Sequence, residues 1–126
     1  NGSLWTLVNS GKDAKVPDTR VPKQVDVRDV ARTHIAALEK MTETNERYLI
    51  AADVSWNQQL VADIVHASQV VSERIKSNTP VGNTGEQLPE HFNIDSTKAK
   101  KELGVTYLPF EQTVEDLMVQ FDKLKA

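Results

Sequence analysis

Several features that would support redox chemistry, metal binding or membrane insertion are missing from this sequence. None of its 126 residues is cysteine, which excludes disulfides, thiolate zinc sites, iron–sulfur clusters and cysteine nucleophiles. The longest apolar run, residues 48–52, is far shorter than the ~20 residues that span a bilayer. The first residues do not resemble a signal peptide. These absences favour a cytoplasmic protein with no membrane partner.

An excess of basic residues is missing as well. Lysine and arginine total 15 against 18 aspartates and glutamates, so the net charge is −3 and no nucleic-acid partner is expected. Hydrophobic residues make up 39% of the chain, enough for a small core. The chain opens on Asn1 rather than methionine, as expected of a trimmed or partial product. Length and composition predict one small α/β piece.

Hydrophobic spacing predicts mostly helices with a few short strands. Alternation indicates a short strand at 25–27, after which Asp29 is expected to cap a helix that ends at Lys40. Ser55 and Gln58 form a capping-box pattern for a further helix. The predicted helices cover 4–8, 30–40, 55–75, 96–103 and 111–125, and Gly104 is expected to end the fourth.

Residues 47–52 read Arg-Tyr-Leu-Ile-Ala-Ala, a continuous apolar run after one charged residue. A run without alternation is typical of a strand that is covered on both faces, as in a parallel sheet. Such a strand needs a neighbour for its backbone N–H and C=O groups. We therefore expect 47–52 to pair outside this chain, with an N-terminal half or with a second copy.

The residues give no catalytic or metal-binding constellation. The histidines at 34, 66 and 91 lie far apart in the sequence, so converging metal ligands are not expected, and His34 is expected in a core. The loop Gly82-Asn-Thr-Gly85 lacks the Lys-Ser/Thr that completes a phosphate-binding loop. No Gly-x-Ser-x-Gly elbow exists to expose a nucleophilic serine.

Three segments nevertheless resemble a known family, in the expected order. Val25-Asp-Val-Arg-Asp-Val-Ala31 resembles the VxVxDVA segment of extended short-chain dehydrogenase/reductases. Asp95-Ser-Thr-Lys-Ala-Lys-Lys-Glu-Leu-Gly104 resembles their late D-[ST]-x-K-A-K-x-x-L-G segment, and Asn1-Gly-Ser-Leu4 resembles the helix start after the nicotinamide loop. The closest branch is the fungal NADPH-dependent aldehyde/ketone and methylglyoxal reductases, related to dihydroflavonol and cinnamoyl-CoA reductases.

The resemblance implies that residues 1–126 are the C-terminal substrate-binding region of a larger Rossmann-type reductase. Strand 47–52 would then belong to the parallel sheet of the parent enzyme. The family's G-x-x-G-x-x-G dinucleotide turn is absent, because the glycines fall at 2, 11, 82, 85 and 104. Its Y-x-x-x-K catalytic pair is absent too, since Ala52 follows Tyr48 and Glu111 follows Tyr107 at that spacing. We therefore expect NADPH in the parent enzyme, and no cofactor, no metal and no activity in this chain by itself.

The resemblance also implies which residues face a small carbonyl substrate. In such reductases the helix after the nicotinamide loop and the loop before VxVxD line the pocket opposite the cofactor. By position, the substrate-lining residues are Asn1, Leu4, Trp5, Val8, Thr19, Arg20, Val21 and Pro22. Apolar walls with few polar groups suit a small aldehyde or ketone. For Leu4 and Val8 a purely structural role in a core remains open, and Arg20 could equally be a solvated loop residue.

Two other functions compete with this one. The chain could be a free-standing, non-catalytic binding or scaffold domain that kept the fold. It could also be a piece of a sugar-nucleotide epimerase or dehydratase, which the fungal-type sequence of residues 95–104 disfavours.

Overall fold

The structure, a computed structural model, describes residues 2–40 and 46–124. This part of the chain contains helices and loops and no strand, so the mostly helical character is confirmed. The helices are α1 Gly2–Leu7, α2 Val27–Lys40, α3 Gln58–Ala67, α4 Glu73–Asn78, α5 Thr97–Leu103 and α6 Phe110–Leu124.

The start of α2 corrects two predictions. The predicted strand at 25–27 is wrong, because Val27 is already helical. The Asp26 carboxylate accepts the Arg28 N–H at 2.8 Å, and the Asp26 carbonyl accepts the Val30 N–H at 3.1 Å. These bonds satisfy first-turn donors, so α2 begins at the earlier aspartate and Asp29 lies inside its first turn.

The chain divides into two units. The first unit comprises Asn1–Pro22, Trp56–Pro89 and Phe110–Ala126. The second unit comprises Lys23–Ser55 and Glu90–Pro109.

The first unit contains the hydrophobic core. Side chains from α1, α3, α4 and α6 interlock there, joined by Val8 and Val71 from the adjoining loops. The fully or nearly fully buried members are Leu7, Val8, Val61, Val65, Val71, Ile75, Phe110, Val114, Met118 and Phe121. The last helix, predicted at 111–125, turns Val114, Met118 and Phe121 into this core, whereas Leu124 is exposed.

Both ends of α3 differ from the prediction. The cap is Asn57, whose side chain accepts the Leu60 N–H at 2.6 Å, and not Ser55. The expected continuation to Ile75 is wrong, because Ser68 ends the helix and its hydroxyl accepts the N–H groups of Val70 and Val71. The chain then restarts in α4 with Ser72 as its cap.

The second unit is built around α2 and α5. Gly104 ends α5 in the left-handed conformation, with φ of 65°, as its sequence position predicted. The Lys40 ammonium donates to the Leu103 carbonyl at 3.0 Å, which satisfies one of the acceptors at the C-terminus of α5.

Residues 47–52 form no strand within the described part of the chain. The Ala52 N–H donates to the Gln24 carbonyl at 2.9 Å. The Tyr48 hydroxyl donates to Glu102 on α5 at 2.7 Å, which raises the pKa of Tyr48 because the bond favours the neutral phenol beside a carboxylate. The predicted parallel-sheet strand is thus not confirmed, and this segment is held to α5 by side chains.

The face of α2 that is covered is not the one expected to form a core. Asp29 and Thr33 are its buried residues. His34 is exposed, with its ring Nδ1 2.8 Å from the Val30 carbonyl oxygen, so the expectation of a core histidine is wrong.

Among the residues that the structure describes, no helix is long and apolar enough to cross a membrane.

Candidate functional site

The residues expected to line the substrate pocket all belong to the first unit. Asn1 lies outside the described residues. Val8 is completely buried, and Leu4 and Trp5 are half-buried against the core. The Trp5 and Phe121 rings meet edge-to-face with centroids 4.9 Å apart. Leu4, Trp5 and Val8 therefore all pack toward the core, and Trp5 contributes an aromatic contact to it.

The loop 19–22 is tied down at both ends. The Thr19 hydroxyl accepts the Gln58 N–H at 2.8 Å, and the Pro22 carbonyl accepts the Trp56 N–H at 3.0 Å. Pro22 is buried, whereas Arg20 and Val21 are exposed, Val21 to 57%. These bonds fix the backbone of the loop on the N-terminal end of α3, so that the two residues between them present their side chains outward.

Thr19 also lines a cleft of about 180 Å³ in the same unit. The walls come from residues 16–19, from 57–59 at the start of α3, and from 86–89. Asp18 and Glu86 are among the lining residues, and the walls are as polar as they are apolar. The Gln58 side-chain oxygen is buried and has no hydrogen-bond partner within the described residues.

The cleft does not bring the predicted residues together. Of the eight, Thr19 is the one that lines it. The others divide between the core and the exposed part of loop 19–22, apart from Asn1, which the structure does not describe. Their assignment to a substrate pocket stays a prediction, since the apolar wall expected for a carbonyl is not assembled around this cleft.

A polar cluster in the second unit was missed from the sequence. The Lys23 ammonium donates to the Ser55 hydroxyl at 2.6 Å and to the Asn93 side chain at 2.5 Å. The His91 Nε2 lies 3.0 Å from the same serine oxygen. Ser55, predicted as a helix cap, instead links the loop at 91–93 to residue 23. The sequence contains no signal for this, because the partners are separated by 32 to 70 positions.

Charged side chains on α5 are paired with the segment that precedes α3. Lys98 forms an ion pair with Glu46, and Lys100 forms one with Asp53. The Glu46 carboxylate raises the pKa of Lys98, because it stabilises the ammonium form. Lys98 and Lys100 therefore hold acidic residues of the neighbouring segment.

The start of α3 and the turn at Gly82 do not form a pyrophosphate-binding turn. A pyrophosphate needs glycines that let the backbone approach it, beside free N–H groups at a helix N-terminus. At α3 the Gln58 and Leu60 N–H groups are already taken by Thr19 and Asn57. At Gly82 the space next to the α-carbon is filled, since a Cβ there would lie 2.2 Å from the Gln59 side chain.

No group of three or more potential metal ligands converges in the part of the chain that the structure describes. The prediction that this chain binds neither a metal nor a cofactor by itself is left to solution measurements.

The chain is similar to curated fungal reductases, although no family model matches it. It is 30% identical over 117 residues to the NADPH-dependent methylglyoxal reductase of Saccharomyces cerevisiae, covering 87% of this chain and 33% of that protein. It is 32% identical over 124 residues to a ketoreductase of Aspergillus fumigatus, covering 95% of this chain and 33% of that protein. The chain thus spans about a third of the length of these relatives.

Solved structures share the fold. The yeast methylglyoxal/isovaleraldehyde reductase complexed with NADPH matches with a TM-score of 0.82 and 26% identity, over 97% of this chain and 39% of that one. Gre2 from Candida albicans matches with a TM-score of 0.73 and 27% identity, over 95% of this chain and 36% of that one.

Proposed function

Because this chain is homologous to the fungal NADPH-dependent methylglyoxal reductases and ketoreductases, we propose that it is the substrate-binding segment of a carbonyl reductase and is inactive by itself. The resemblance predicted from residues 25–31 and 95–104 is confirmed by these relatives. One observation supports the proposal most: the similarity extends over nearly the whole chain but only about a third of each relative.

The motifs that the sequence lacks indicate which steps this segment performs and which belong to the rest of the enzyme. Neither a G-x-x-G-x-x-G turn nor a Y-x-x-x-K pair is present, so NADPH binding and proton transfer belong to the rest of the enzyme. This segment supplies the wall opposite the cofactor. In the complete enzyme it acts in the cytoplasm on a small aldehyde or ketone.

The loop 19–22 is the part of this segment that we place nearest the substrate. Its ends are fixed by the hydrogen bonds of Thr19 and Pro22, and between them the loop exposes the Arg20 and Val21 side chains. Leu4, Trp5 and Val8 then support the wall from behind by packing α1 against the core. An apolar side chain beside one positive charge suits a polarised carbonyl.

A chimeric enzyme tests this proposal. In the yeast methylglyoxal reductase, this chain replaces the third that it matches, and NADPH oxidation is followed with methylglyoxal and with larger ketones. We expect turnover with a substrate preference that differs from that of the unmodified yeast enzyme. A chimera that folds and binds NADPH but reduces no carbonyl would contradict the proposed role.

The motifs encoded in the full reading frame distinguish the reductase from the competing possibility, a free-standing binding or scaffold domain. A G-x-x-G-x-x-G turn and a Y-x-x-x-K pair encoded upstream in the same frame support the reductase. A frame that encodes this segment and neither motif supports the scaffold domain.

A further inference from the structure

A second opening in the first unit, named here the α3–α6 groove, lies between those two helices and has a volume of about 420 Å³. Its floor is apolar and comes from Leu60, Ile64 and Ala67, which share one face of α3 because they are spaced by four and three residues. Leu60 and Ile64 pack against the core but stay half-exposed, and Ala67 is exposed. The two helices therefore meet over the core and leave an apolar furrow open to solvent.

Among the described residues, every ionisable side chain that lines the groove is acidic. Asp63 lies on α3, and Glu111 and Glu115 lie one turn apart on α6. The Asp63 carboxylate accepts hydrogen bonds from the Gln59 side chain and from the Gly85 N–H, both at 2.8 Å. Both donors are neutral, so they leave the negative charge of Asp63 uncompensated.

The two glutamates on α6 also keep their negative charge. The Ser68 hydroxyl donates to the Glu115 Oε1 at 2.5 Å and leaves the second carboxylate oxygen without a partner among the described residues. The Glu111 side chain is exposed and forms no ion pair with them. The N-terminus of α6 stabilises an acidic residue in its first turn, which accounts for Glu111 but not for Glu115. Because like charges four residues apart on a helix repel each other, a cation beside both is favoured.

We propose that the α3–α6 groove binds a hydrophobic amine, a small molecule in which an ammonium group is attached to an apolar body. The apolar body lies on the floor that α3 forms, and the ammonium group donates to the carboxylates of Glu111 and Glu115. A volume of about 420 Å³ falls within the range of small-molecule sites, roughly 300–1,000 Å³. This site goes beyond the proposed carbonyl reduction, since none of the described residues assigned to the substrate lines the groove.

Size and charge favour this occupant over another protein. The described lining consists of seven residues, whereas a stable interface between proteins takes roughly 20–30 residues from each side. A second copy of this chain carries a net charge of −3, which is a poor electrostatic match for an acidic groove. A small cation with an apolar body matches both the walls and the floor.

Three probes that share one apolar body test the proposal: 4-phenylbutylamine, 4-phenylbutanol and 4-phenylbutyrate. Each is titrated into the 126-residue chain and into the chimera described above, and binding is measured by ligand-observed NMR. The amine is positively charged at pH 7, since its pKa is close to that of a lysine side chain. We expect the amine to bind with a Kd in the low millimolar range or below, as suits a ligand of about eleven non-hydrogen atoms. The alcohol should bind about 5-fold more weakly, and the butyrate should not bind detectably.

Two kinds of variant separate the contribution of the charges from that of the floor. Glu111→Gln combined with Glu115→Gln removes both charges and should weaken binding of the amine about 5-fold or more, while binding of the alcohol stays unchanged. Ala67→Trp fills the floor and should abolish binding of both. Glu73→Gln is the matched control, because this carboxylate lies on α4 in the same unit, is 90% exposed and does not line the groove. It should change neither affinity.

Equal affinities for the amine and the alcohol would overturn the inference, and so would an amine affinity that the double glutamine variant leaves unchanged. Absence of saturable binding in both the separate chain and the chimera would overturn it as well. Sedimentation that shows a dimer of the separate chain, dissolved by Ala67→Trp, would assign the groove to a second copy and contradict the proposal. These titrations do not depend on turnover, so a chimera that binds the amine as expected but reduces no carbonyl refutes the proposed function alone.

Discussion

Replacing Asp29 by alanine removes a buried carboxylate that joins the first turn of α2 to residue 108. The side chain is 1% exposed. One oxygen accepts the Leu108 N–H at 2.9 Å, and the other accepts a hydrogen bond from the Arg32 guanidinium. In the alanine variant the Leu108 N–H loses its charged acceptor without gaining another from the substituted side chain.

The cost follows from these two contacts. A hydrogen bond to a charged acceptor contributes about 1.5–3 kcal/mol. The Arg32 side chain is 56% exposed, so its pair with Asp29 contributes at most about 1 kcal/mol. Asp29→Ala should therefore lower the free energy of unfolding by roughly 2–4 kcal/mol. Asp29→Asn keeps an oxygen for Leu108 and should lose about 1–2 kcal/mol.

Urea denaturation followed by circular dichroism measures both losses, with hydrogen exchange of the Leu108 amide as the local readout. Asp53→Ala is the control, because Asp53 forms an exposed pair with Lys100 and its removal should cost under about 1 kcal/mol. A loss in Asp29→Ala no larger than in Asp53→Ala, or an unchanged exchange rate at Leu108, would refute the reasoning.

Three further predictions concern the substrate loop, the segment 47–52 and the aspartate that precedes α5. In the chimera, Val21→Trp should change the ratio of kcat/KM between methylglyoxal and a bulkier ketone by about 10-fold or more, while Val81→Trp should not; equal effects on both substrates would argue against a pocket role. In the separate chain at low micromolar concentration, the Leu49 and Ile50 amides should exchange rapidly, and strong protection in a demonstrated monomer would show that the chain completes its own sheet. Hydrogen bonds from the Thr97 side chain and backbone N–H lower the pKa of Asp95 below that of a free aspartate. Asp95 therefore stabilises the fold above its unfolded pKa, and this contribution is lost as pH falls through the lower folded value. Asp95→Asn should therefore flatten the decline of the urea midpoint between about pH 5 and pH 3, and an unaltered decline would count against it.

The elements that the sequence predicted best are those with local signals. Helix α6 has apolar residues at regular helical spacing, and α5 ends at a glycine that alone tolerates φ of 65° well. The starts of α2 and α3 were misplaced because two capping residues compete at each. Tertiary contacts decide between them: Lys23 and His91 engage Ser55, which leaves Asn57 to cap α3.

The sequence could not show which of the predicted site residues are exposed. The sequence placed Trp5 and Val8 on one side of the helix predicted at 4–8, yet it could not show whether that side faced a substrate or a core. Phe121, more than a hundred positions away, decides this by packing against Trp5. The strand predicted at residues 47–52 could not be settled from the sequence for a similar reason. A strand in a parallel sheet forms only beside its neighbours, and the proposed neighbours lie in the rest of the reductase.

Titration of NADPH into the separate chain, with nicotinamide oxidation followed after methylglyoxal is added, tests the central claim most directly. We predict no binding and no turnover above a buffer control, whereas the chimera binds NADPH and turns over. Turnover by the separate chain that disappears when one of its own residues is changed would contradict the account, because the chain would then contain a complete active site.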